Sequence, residues 1–423
     1  VLFQRILRIS REQTSRSASG ICCFRTGGAE TMEKVCIGIV GIGNMGSAHA
    51  NNIFAGKVTG LELAAVCDID EGRRAWAKEN LPGVDVYESY EDLLNSDRIQ
   101  AVLVATPHKL HPVIATAAMK KGLHVLTEKP AGVSVKAVHA MNEVAKQSDV
   151  VFGIMYNQRT NPIFRKMREL IQNGELGNIK RSVWIVTNWY RTQAYYNSGS
   201  WRATWNGEGG GVMLNQCPHN LDIWQWLVGM PTRVRAFCSY GKYHNIEVED
   251  DVTIYTQYEN GASGVFVSST GEYPGTNRLE ISGDKGKLVA ENGTLKFWKL
   301  EQSEREVCFE ATAGFVQIPM EEINIEITEK ETAHVGILQN FTDAILKGTP
   351  LLAPGIEGIR GLSISNAAHL SDWTDDWVTI PVDEDRFEEL LEEHKKAEKG
   401  KNVEQGKKEK LSGEYSTRWS VRW

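Results

Sequence analysis

Three features that often define the class of a protein are missing from this sequence. No run of about 18 apolar residues occurs, so we expect no membrane-spanning helix. The 47 lysines and arginines are outnumbered by 54 aspartates and glutamates, and this balance argues against a nucleic-acid-binding surface. The seven cysteines include no Cys-x-x-Cys pair, so neither disulfides nor a zinc site are indicated. We therefore expect small soluble partners and a reducing, cytoplasmic compartment, with Cys36 and Cys67 buried as thiols.

Both ends of the chain differ in composition from its middle. Residues 1–31 are rich in arginine and serine, as in a transit peptide, but the opening Val-Leu-Phe-Gln is similar to a protease-tag remnant. We favour tag-derived or upstream sequence and expect this leader to lie outside the fold. Residues 383–423 are predicted to be a charged extension with a solvent-facing helix at 388–399. Because the chain ends in Trp419 and Trp423, we hypothesise that its last residues dock on the body or on a neighbouring subunit.

A glycine-rich turn follows the first strong apolar run. Residues 34–40 are predicted to form a buried strand, and a helix is predicted to start after the turn. Gly41 would permit the tight turn, Gly43 would let the backbone approach a pyrophosphate, and Gly46 would let the helix pack closely on its strand. The helix amino terminus supplies N–H groups and a partial positive charge for a diphosphate. An ordinary turn is the alternative interpretation of this pattern.

The second predicted strand, residues 61–67, ends at an acidic residue. Asp68 follows Gly46 by about the twenty residues expected of the acid that binds the adenosine ribose 2′-OH. This spacing favours NAD. Arg73 and Arg74 could instead meet the 2′-phosphate of NADP, although Asp68 and Asp70 would repel it. The alternative role for Asp68 is a helix N-cap or turn residue.

Strands and helices continue to alternate as far as Tyr156. Six predicted parallel strands make residues 32–156 a doubly wound nucleotide-binding domain of the Rossmann type. Ligands of such sheets bind at the carboxyl ends of the strands. One predicted strand ends in Thr106-Pro107-His108 and the next in Glu128-Lys129-Pro130, so both tripeptides should border the crevice.

Longer alternating runs then replace this pattern. Runs from 181–187 to 294–300, separated by Gly, Asn and Asp, predict one large open sheet that is mainly antiparallel. Helical sequence at 332–346 and 355–371 should pack with it, and 377–382 is expected to add a last strand. We therefore predict an α/β fold in which residues 157–382 form a second, α+β domain for substrate binding and oligomerisation.

Two residues of this predicted crevice have the chemistry for oxidation at carbon. Lys129 could stabilise negative charge that develops on a reacting oxygen, or it could be a surface lysine of a loop. Asn215, His219 and Asp222 have the spacing of one helix face, and His219 could act as a general base. A helix-interior histidine bonded to backbone is the alternative. No matched second histidine or carboxylate set accompanies it, so we expect no metal.

Aromatic and arginine residues are concentrated between the two predicted domains. Residues 188–196 and 201–205 alternate aromatic rings with polar side chains. Such surfaces suit a pyranose, whose C–H face stacks on rings while its hydroxyls need donors such as arginine. An aromatic core or a subunit interface is the alternative interpretation.

Together, the glycine turn at 41–46, Asp68, the Glu128-Lys129-Pro130 tripeptide and the glycine run before His219 resemble the Gfo/Idh/MocA family over residues 34–382. The resemblance implies NAD(P)-dependent hydride chemistry on sugars or cyclitols, with Lys129 as the catalytic lysine and His219 as the proton-transfer residue. Its open-sheet domain often mediates oligomers. Many members carry Asp at the position of Asn215, so proton transfer here would rest on His219 alone or on a tyrosine.

The resemblance also implies a substrate class. Aromatic-rich members oxidise glycosides at the sugar C3 hydroxyl, so we expect an NAD-dependent dehydrogenase that forms a 3-keto product. The alternatives are an NAD-dependent glycoside hydrolase working by transient C3 oxidation and elimination, an inositol dehydrogenase, and a non-catalytic NAD-binding regulator. The expected partners are a small sugar or glycoside and further copies of this chain, as a dimer, a tetramer or a larger homo-oligomer.

Two groups of contacts are expected from this resemblance. The substrate should contact Trp189, Tyr190, Arg191, Tyr195, Tyr196, Trp201, Arg202, Asn215 and His219. The cofactor should contact Gly41, Gly43, Asn44, Met45, Gly46, Asp68, Ile69, Thr106, Pro107, His108, His111, Glu128, Lys129 and Asn157.

Overall fold

The first sheet of the computed structural model, which describes residues 34–399, is entirely parallel. Its apolar strands are covered by helices on both faces, as a parallel sheet requires. The predicted doubly wound sheet is therefore confirmed, and Cys36 and Cys67 lie buried within it as predicted. The strands are β1 (Val35–Val40), β2 (Leu61–Cys67), β3 (Asp85–Tyr87), β4 (Ala101–Val104), β5 (His124–Thr127) and β6 (Phe152–Ile154).

The strand order across this sheet is β3-β2-β1-β4-β5-β6. The order reverses beside β1, and this reversal opens a crevice at the carboxyl ends of β1 and β4. The glycine turn leaves β1 at this point and leads into the first helix. The helices of this half are α1 (Asn44–Phe54), α2 (Glu71–Asn80), α3 (Tyr90–Leu94), α4 (His111–Lys120) and α5 (Val135–Lys146).

The second sheet is open and has nine strands. They are β7 (Ile179–Val186), β8 (Arg233–Tyr240), β9 (Glu249–Gln257), β10 (Ser263–Ser269), β11 (Asn277–Gly283), β12 (Gly286–Glu291), β13 (Thr294–Leu300), β14 (Met320–Ile325) and β15 (Val378–Thr379). The order is β14-β13-β12-β11-β7-β10-β9-β8-β15, and neighbouring strands are antiparallel except β7 and β10. The predicted mainly antiparallel sheet is therefore confirmed.

Helices cover one face of this sheet and enclose the second hydrophobic core. The helices of this half are α6 (Pro162–Gln172), α7 (Gln193–Asn197), α8 (Val212–Asn215), α9 (Pro218–Val228), α10 (Glu304–Glu310), α11 (Ala333–Lys347), α12 (Gly358–Thr374) and α13 (Glu384–Ala397). Side chains of α6, α9, α12 and α13 pack with the inward residues of the strands. The α12 helix also reaches the first half, because Asn366 accepts a hydrogen bond from the N–H of Val135 at 2.9 Å and donates one to the Val133 carbonyl at 3.1 Å. It thereby ties the second core to the start of α5.

Three local features differ from the sequence prediction. The expected strand at 377–382 is reduced to β15, and β14 was not predicted. The helix expected at 388–399 is α13, which is amphipathic rather than solvent-facing on all sides. Its Phe387, Leu390 and Leu391 follow helical spacing and are buried in the second core. The predicted leader and the docking of Trp419 and Trp423 lie outside the described residues. Within residues 34–399, no helix has the length and apolar character needed to cross a membrane.

Candidate active site

The glycine turn has the geometry of a phosphate cradle. Gly41 has φ +88°, which only glycine adopts readily, and a Cβ on Gly46 would lie 1.8 Å from the Gly41 carbonyl oxygen. A Cβ on Gly43 would instead point into open space with no protein atom within 4 Å. No side chain caps the first turn of α1. The N–H groups and the positive end of this helix therefore face a space that a diphosphate fits.

Asp68 lies at the end of β2, next to the glycine turn. Its carboxylate accepts hydrogen bonds from the backbone N–H groups of Ile42 and Asp70, both at 2.9 Å. It therefore holds the turn against the strand end, and its remaining lone pairs face the cleft, where a ribose hydroxyl could donate. The N-cap of α2 is Asp70, which accepts from the N–H of Arg73. The side chain of Ile69 is 87% exposed at the rim of the cleft.

The end of β5 carries a buried hydrogen bond between a carboxylate and a histidine. Glu128 Oε1 lies 2.6 Å from His49 Nε2, and both side chains are buried. Burial alone would raise the pKa of Glu128, but the hydrogen bond from His49 and the positive charges nearby lower that pKa to about 2. The other carboxylate oxygen, Oε2, accepts from the backbone N–H of Lys129 at 3.1 Å. The pair therefore anchors the backbone from which the Lys129 side chain projects.

The Lys129 side chain crosses the crevice to the second half of the chain. Its Nζ donates to the backbone carbonyl of Asn215 at 3.0 Å. Burial lowers the pKa of Lys129, the carboxylates of Glu128 and Glu208 raise it, and nearby arginines lower it further. The ammonium is thus oriented by a backbone acceptor and has two further N–H groups for a ligand.

His108 and His111 connect the end of β4 to its surroundings. His111 Nδ1 lies 2.7 Å from the Pro130 carbonyl oxygen, and its Nε2 lies 2.7 Å from the Thr106 carbonyl oxygen. A neutral imidazole has one N–H, so His111 donates to one of these carbonyls and lies against the other, between the two strand ends. His108 Nδ1 lies 3.2 Å from the Glu208 carbonyl oxygen, and burial lowers the pKa of His108 to about 3. A neutral His108 thus links the first half to the loop that precedes α8.

His219 is a buried histidine with no protein partner for its ring nitrogens. Its exposed fraction is 3%, and neither nitrogen has a hydrogen bond to any of residues 34–399. Burial and the charge of Lys129 lower the pKa of His219 well below its usual value. A neutral imidazole in the cleft therefore lacks the acceptor or donor that a buried polar group ordinarily finds, which is the position a substrate hydroxyl could take.

The helix that carries His219 is broken where the sequence predicted continuity. Asn215 is the last residue of α8, and α9 begins at Pro218, whose missing N–H suits the first turn of a helix. Asn215 and His219 still border the same cleft. Asp222 does not reach it, because it is buried in a two-bond pair with Arg159 at 2.7 and 2.8 Å. Asp222 therefore anchors α9 on the side that faces away from the cleft.

A buried carboxylate that the sequence analysis did not identify lies beside Asn215. Glu208 is 1% exposed and accepts hydrogen bonds from the side-chain N–H of Asn215 and from the backbone N–H of Ala203, the latter at 2.6 Å. Arg202 lies 3.7 Å from Glu208 and donates to the Tyr195 hydroxyl at 3.0 Å. The network thus joins an acid, an amide, an arginine and a phenol. The only sequence signal for Glu208 is that a charged residue interrupts a run of glycines.

The cleft has a volume of about 390 Å³ and extends from the glycine turn to the aromatic residues. Most of the predicted site residues line it, including Lys129 and His219. Four do not. Gly46 lies behind the turn, Tyr190 is 45% exposed, Tyr196 is buried against Thr270, and Asn157 is buried in the turn at 157–160. The predicted residues that line it are Gly41, Gly43, Asn44, Met45, Asp68, Ile69, Thr106, Pro107, His108, His111, Glu128, Lys129, Trp189, Arg191, Tyr195, Trp201, Arg202, Asn215 and His219.

A doubly wound sheet whose glycine turn opens into a cleft with a lysine and an unpartnered histidine defines a dinucleotide-dependent oxidoreductase. Two family models match the chain. One, described as "Oxidoreductase family, NAD-binding Rossmann fold", matches residues 35–156, and the other, described as "GFO/IDH/MocA C-terminal domain", matches residues 164–289. Together they cover more than half of the chain. The protein belongs to the Gfo/Idh/MocA family of NAD-binding oxidoreductases, as its sequence motifs predicted.

Similar proteins include curated relatives and a solved structure. The myo-inositol 2-dehydrogenase of Thermotoga maritima is 28% identical over 264 residues, which are 60% of this chain and 75% of that protein. A glycosyl hydrolase family 109 protein of a Shewanella species is 27% identical over 209 residues, which are 46% of this chain and 44% of that protein. The WlbA dehydrogenase of Chromobacterium violaceum, solved with NADH and UDP-GlcNAcA, superposes with a TM-score of 0.71 at 26% identity, covering 84% of this chain and 98% of that one.

Proposed function

We propose that the protein is an NAD-dependent dehydrogenase that oxidises a secondary hydroxyl of a sugar or glycoside, at C3 of the ring. The observation that carries the proposal is the pairing, in one cleft, of the oriented Lys129 ammonium with a buried His219 that has no protein partner. The inositol 2-dehydrogenase among the relatives supports oxidation of a ring hydroxyl.

The proton of the substrate hydroxyl would pass to His219. Its lowered pKa keeps the imidazole neutral at physiological pH, so a ring nitrogen is available as an acceptor. In the reverse reaction the imidazolium would return this proton. NAD, held by the glycine turn and Asp68, would supply the hydride acceptor for the carbinol carbon, and a carbonyl group would remain on the sugar.

Lys129 would stabilise the negative charge that develops on the substrate oxygen as its proton leaves. The ammonium is held by the Asn215 carbonyl at 3.0 Å, so little reorganisation is needed when the charge appears. Asn215 itself has its side chain engaged with Glu208. The proton-acceptor role is therefore assigned to His219, whose ring nitrogens have no partner among the described residues.

The aromatic side of the cleft would receive the sugar ring. Trp189 and Tyr195 are buried, whereas Trp201 is 36% exposed at the opening. Flat rings offer a surface for the apolar face of a pyranose, and the nearby arginines offer donors for its hydroxyls. We propose that this aromatic side of the cleft orients the sugar so that C3 faces the nicotinamide.

The direct test is to incubate the protein with NAD and a panel of sugars, glycosides and inositols, and to follow absorbance at the NADH band. We expect signal with pyranosides and a 3-keto product by NMR. If neither NAD nor NADP gives signal with any compound, the proposal is refuted. A His139→Gln variant, altered on the exposed surface of α5, is the matched control for His219→Asn.

Two relatives favour alternative functions, and the same panel of sugars, glycosides and inositols would detect either one. Preferential oxidation of inositols over glycosides would assign the protein an inositol dehydrogenase role. The glycosyl hydrolase family 109 relative supports a hydrolase that oxidises C3 transiently, eliminates the group at C1 and adds water. Release of the aglycone from a glycoside, with bound NAD and no net NADH, would identify that second function.

A further inference from the structure

The substrate end of the cleft has more positive than negative charge. Three cations line it, Lys129, Arg191 and Arg202. The carboxylates beside them are Glu128, which is paired with His49, and Glu208, which lies near Arg202. No carboxylate of residues 34–399 lies within the 4.0 Å ion-pair distance of Arg191. Arg191 therefore has no ion-pair partner in the described part of the protein.

Arg191 is held in place without using its whole guanidinium. Its backbone N–H donates to the Thr270 carbonyl at 2.9 Å, and its Nη1 donates to the carbonyls of Trp189 and Tyr190 at 3.3 and 2.9 Å. The guanidinium carbon lies 5.2 Å from the centroid of the Tyr195 ring. These contacts orient the group before any ligand arrives.

The Nε edge of Arg191 has no acceptor. Nε is buried and makes no hydrogen bond to any of the residues that the structure describes. Asp250 is a buried acid of this region, but its carboxylate accepts from the backbone N–H groups of Lys242, Tyr243 and His244 and lies 2.9 Å from His244 Nδ1. A buried donor of a charged group that lacks a partner is costly, so a ligand acceptor at this position is expected.

We propose that the substrate carries a carboxylate, as in a hexuronic acid or its glycoside, and that Arg191 binds this group. This inference rests on the proposed function. An arginine edge matches the two oxygens of a carboxylate, whose single negative charge would equal the single positive charge of Arg191. A phosphate monoester, with about −1.5 to −2 charges at pH 7, would exceed it. A hydroxyl of a neutral pyranose could also accept from Nε, but it would give Arg191 no charged partner.

The test compares matched substrates that differ only at C6. Methyl β-D-glucopyranoside carries a hydroxymethyl group there, and methyl β-D-glucopyranosiduronic acid carries a carboxylate. Galactose-configured and mannose-configured pairs extend the comparison. We expect the wild-type kcat/KM of the best pair to favour the uronate by about 10- to 100-fold, the range given by charge-assisted hydrogen bonds.

Substitution of Arg191 should remove this preference. In Arg191→Gln the ratio of the two kcat/KM values should fall to about one. Arg191→Lys keeps the positive charge but lacks the paired N–H donors of the guanidinium, so it should give an intermediate ratio. Arg181→Gln, whose side chain is exposed on the surface of β7, is the matched control and should keep the wild-type ratio. Retained NAD affinity in the Arg191 variants shows that the fold is intact. Equal use of both partners by the wild type, or an unchanged ratio in Arg191→Gln, would overturn the inference.

Failure of the proposed function gives a separate result. If no pair yields NADH, the dehydrogenase proposal fails, and calorimetry with the NAD-loaded protein then decides the carboxylate question. Binding of the uronate but not of the neutral glycoside, lost in Arg191→Gln, supports the inference. Binding of neither ligand, or of both equally, overturns it.

Discussion

The two ends of the cleft are built in different ways. The cofactor end consists of strand ends and a helix amino terminus, with backbone N–H groups and glycine spacing as its main elements. The proposed substrate end consists of side chains from loops and short helices, with Glu208, Arg202 and Tyr195 joined in one network. Local sequence spacing therefore determines the first end, whereas tertiary contacts determine the second. The following predictions test this difference, from the largest expected effect to the smallest.

The largest effect is expected where the two ends meet. Lys129→Ala removes the ammonium that would stabilise the developing oxyanion, and kcat should fall by about 10²- to 10³-fold. NAD affinity, measured by fluorescence titration, should change little, because the glycine turn is proposed to bind the diphosphate. His139→Gln serves again as the control. A Lys129→Ala enzyme with wild-type kcat would show that the oxyanion is stabilised elsewhere.

Two glycine substitutions should separate folding from cofactor binding. Gly46→Ala would place a methyl group 1.8 Å from the Gly41 carbonyl and should destabilise the apoprotein by about 1–3 kcal/mol. Gly43→Ala meets no protein atom and should leave thermal unfolding nearly unchanged. It should nevertheless weaken NAD binding by about tenfold or more, because the methyl group fills the phosphate cradle. Equal effects of both variants on apoprotein stability would argue against a cradle at Gly43.

The carboxylate at the substrate end should control the protonation of Lys129. The negative charge of Glu208 raises the pKa of Lys129 against the lowering effect of burial. In its proposed role Lys129 must be protonated, so activity should be lost as pH rises through its pKa. In Glu208→Gln the alkaline limb of the pH profile of kcat/KM should therefore move to lower pH. Glu304→Gln, a surface acid of α10, is the control. If the alkaline limb stays at the same pH in Glu208→Gln, Glu208 has a structural role only.

The smallest effect is expected just beyond α13, far from the reacting atoms. Glu398 accepts from the backbone N–H groups of Trp205 and Asn206 at 2.7 and 3.3 Å, and so holds the loop that carries Arg202. Glu398→Ala should raise KM for the sugar by about 2- to 10-fold with kcat and NAD affinity unchanged. Glu392→Gln, an exposed acid of the same helix, is the control. An increase in the Kd of NAD would contradict this separation of the two ends.

How much could be predicted from the sequence differs between the same two ends of the cleft. The glycine spacing and the strand that ends at Lys129 are local patterns, so the parallel sheet and its crevice were predictable. Glu208 was not, because no periodicity indicates that its loop folds back onto Asn215. The break before His219 arises from a single proline, and α13 packs on a core that the mixed charges of its sequence conceal. Tertiary contacts decide the positions of Glu208 and α13, whereas the break before His219 follows from Pro218, a local signal that the helical spacing overlooked.

The most direct test of the account follows the hydrogen that leaves the substrate. The protein is incubated with NAD and a methyl pyranoside or pyranosiduronic acid that carries deuterium at C3, and the NADH is analysed by mass spectrometry. We predict NADH that contains the deuterium and a 3-keto product, both lost in Lys129→Ala and His219→Asn. NADH without deuterium would place the oxidation at another carbon, and oxidation that persists in both variants would contradict the assigned roles of Lys129 and His219.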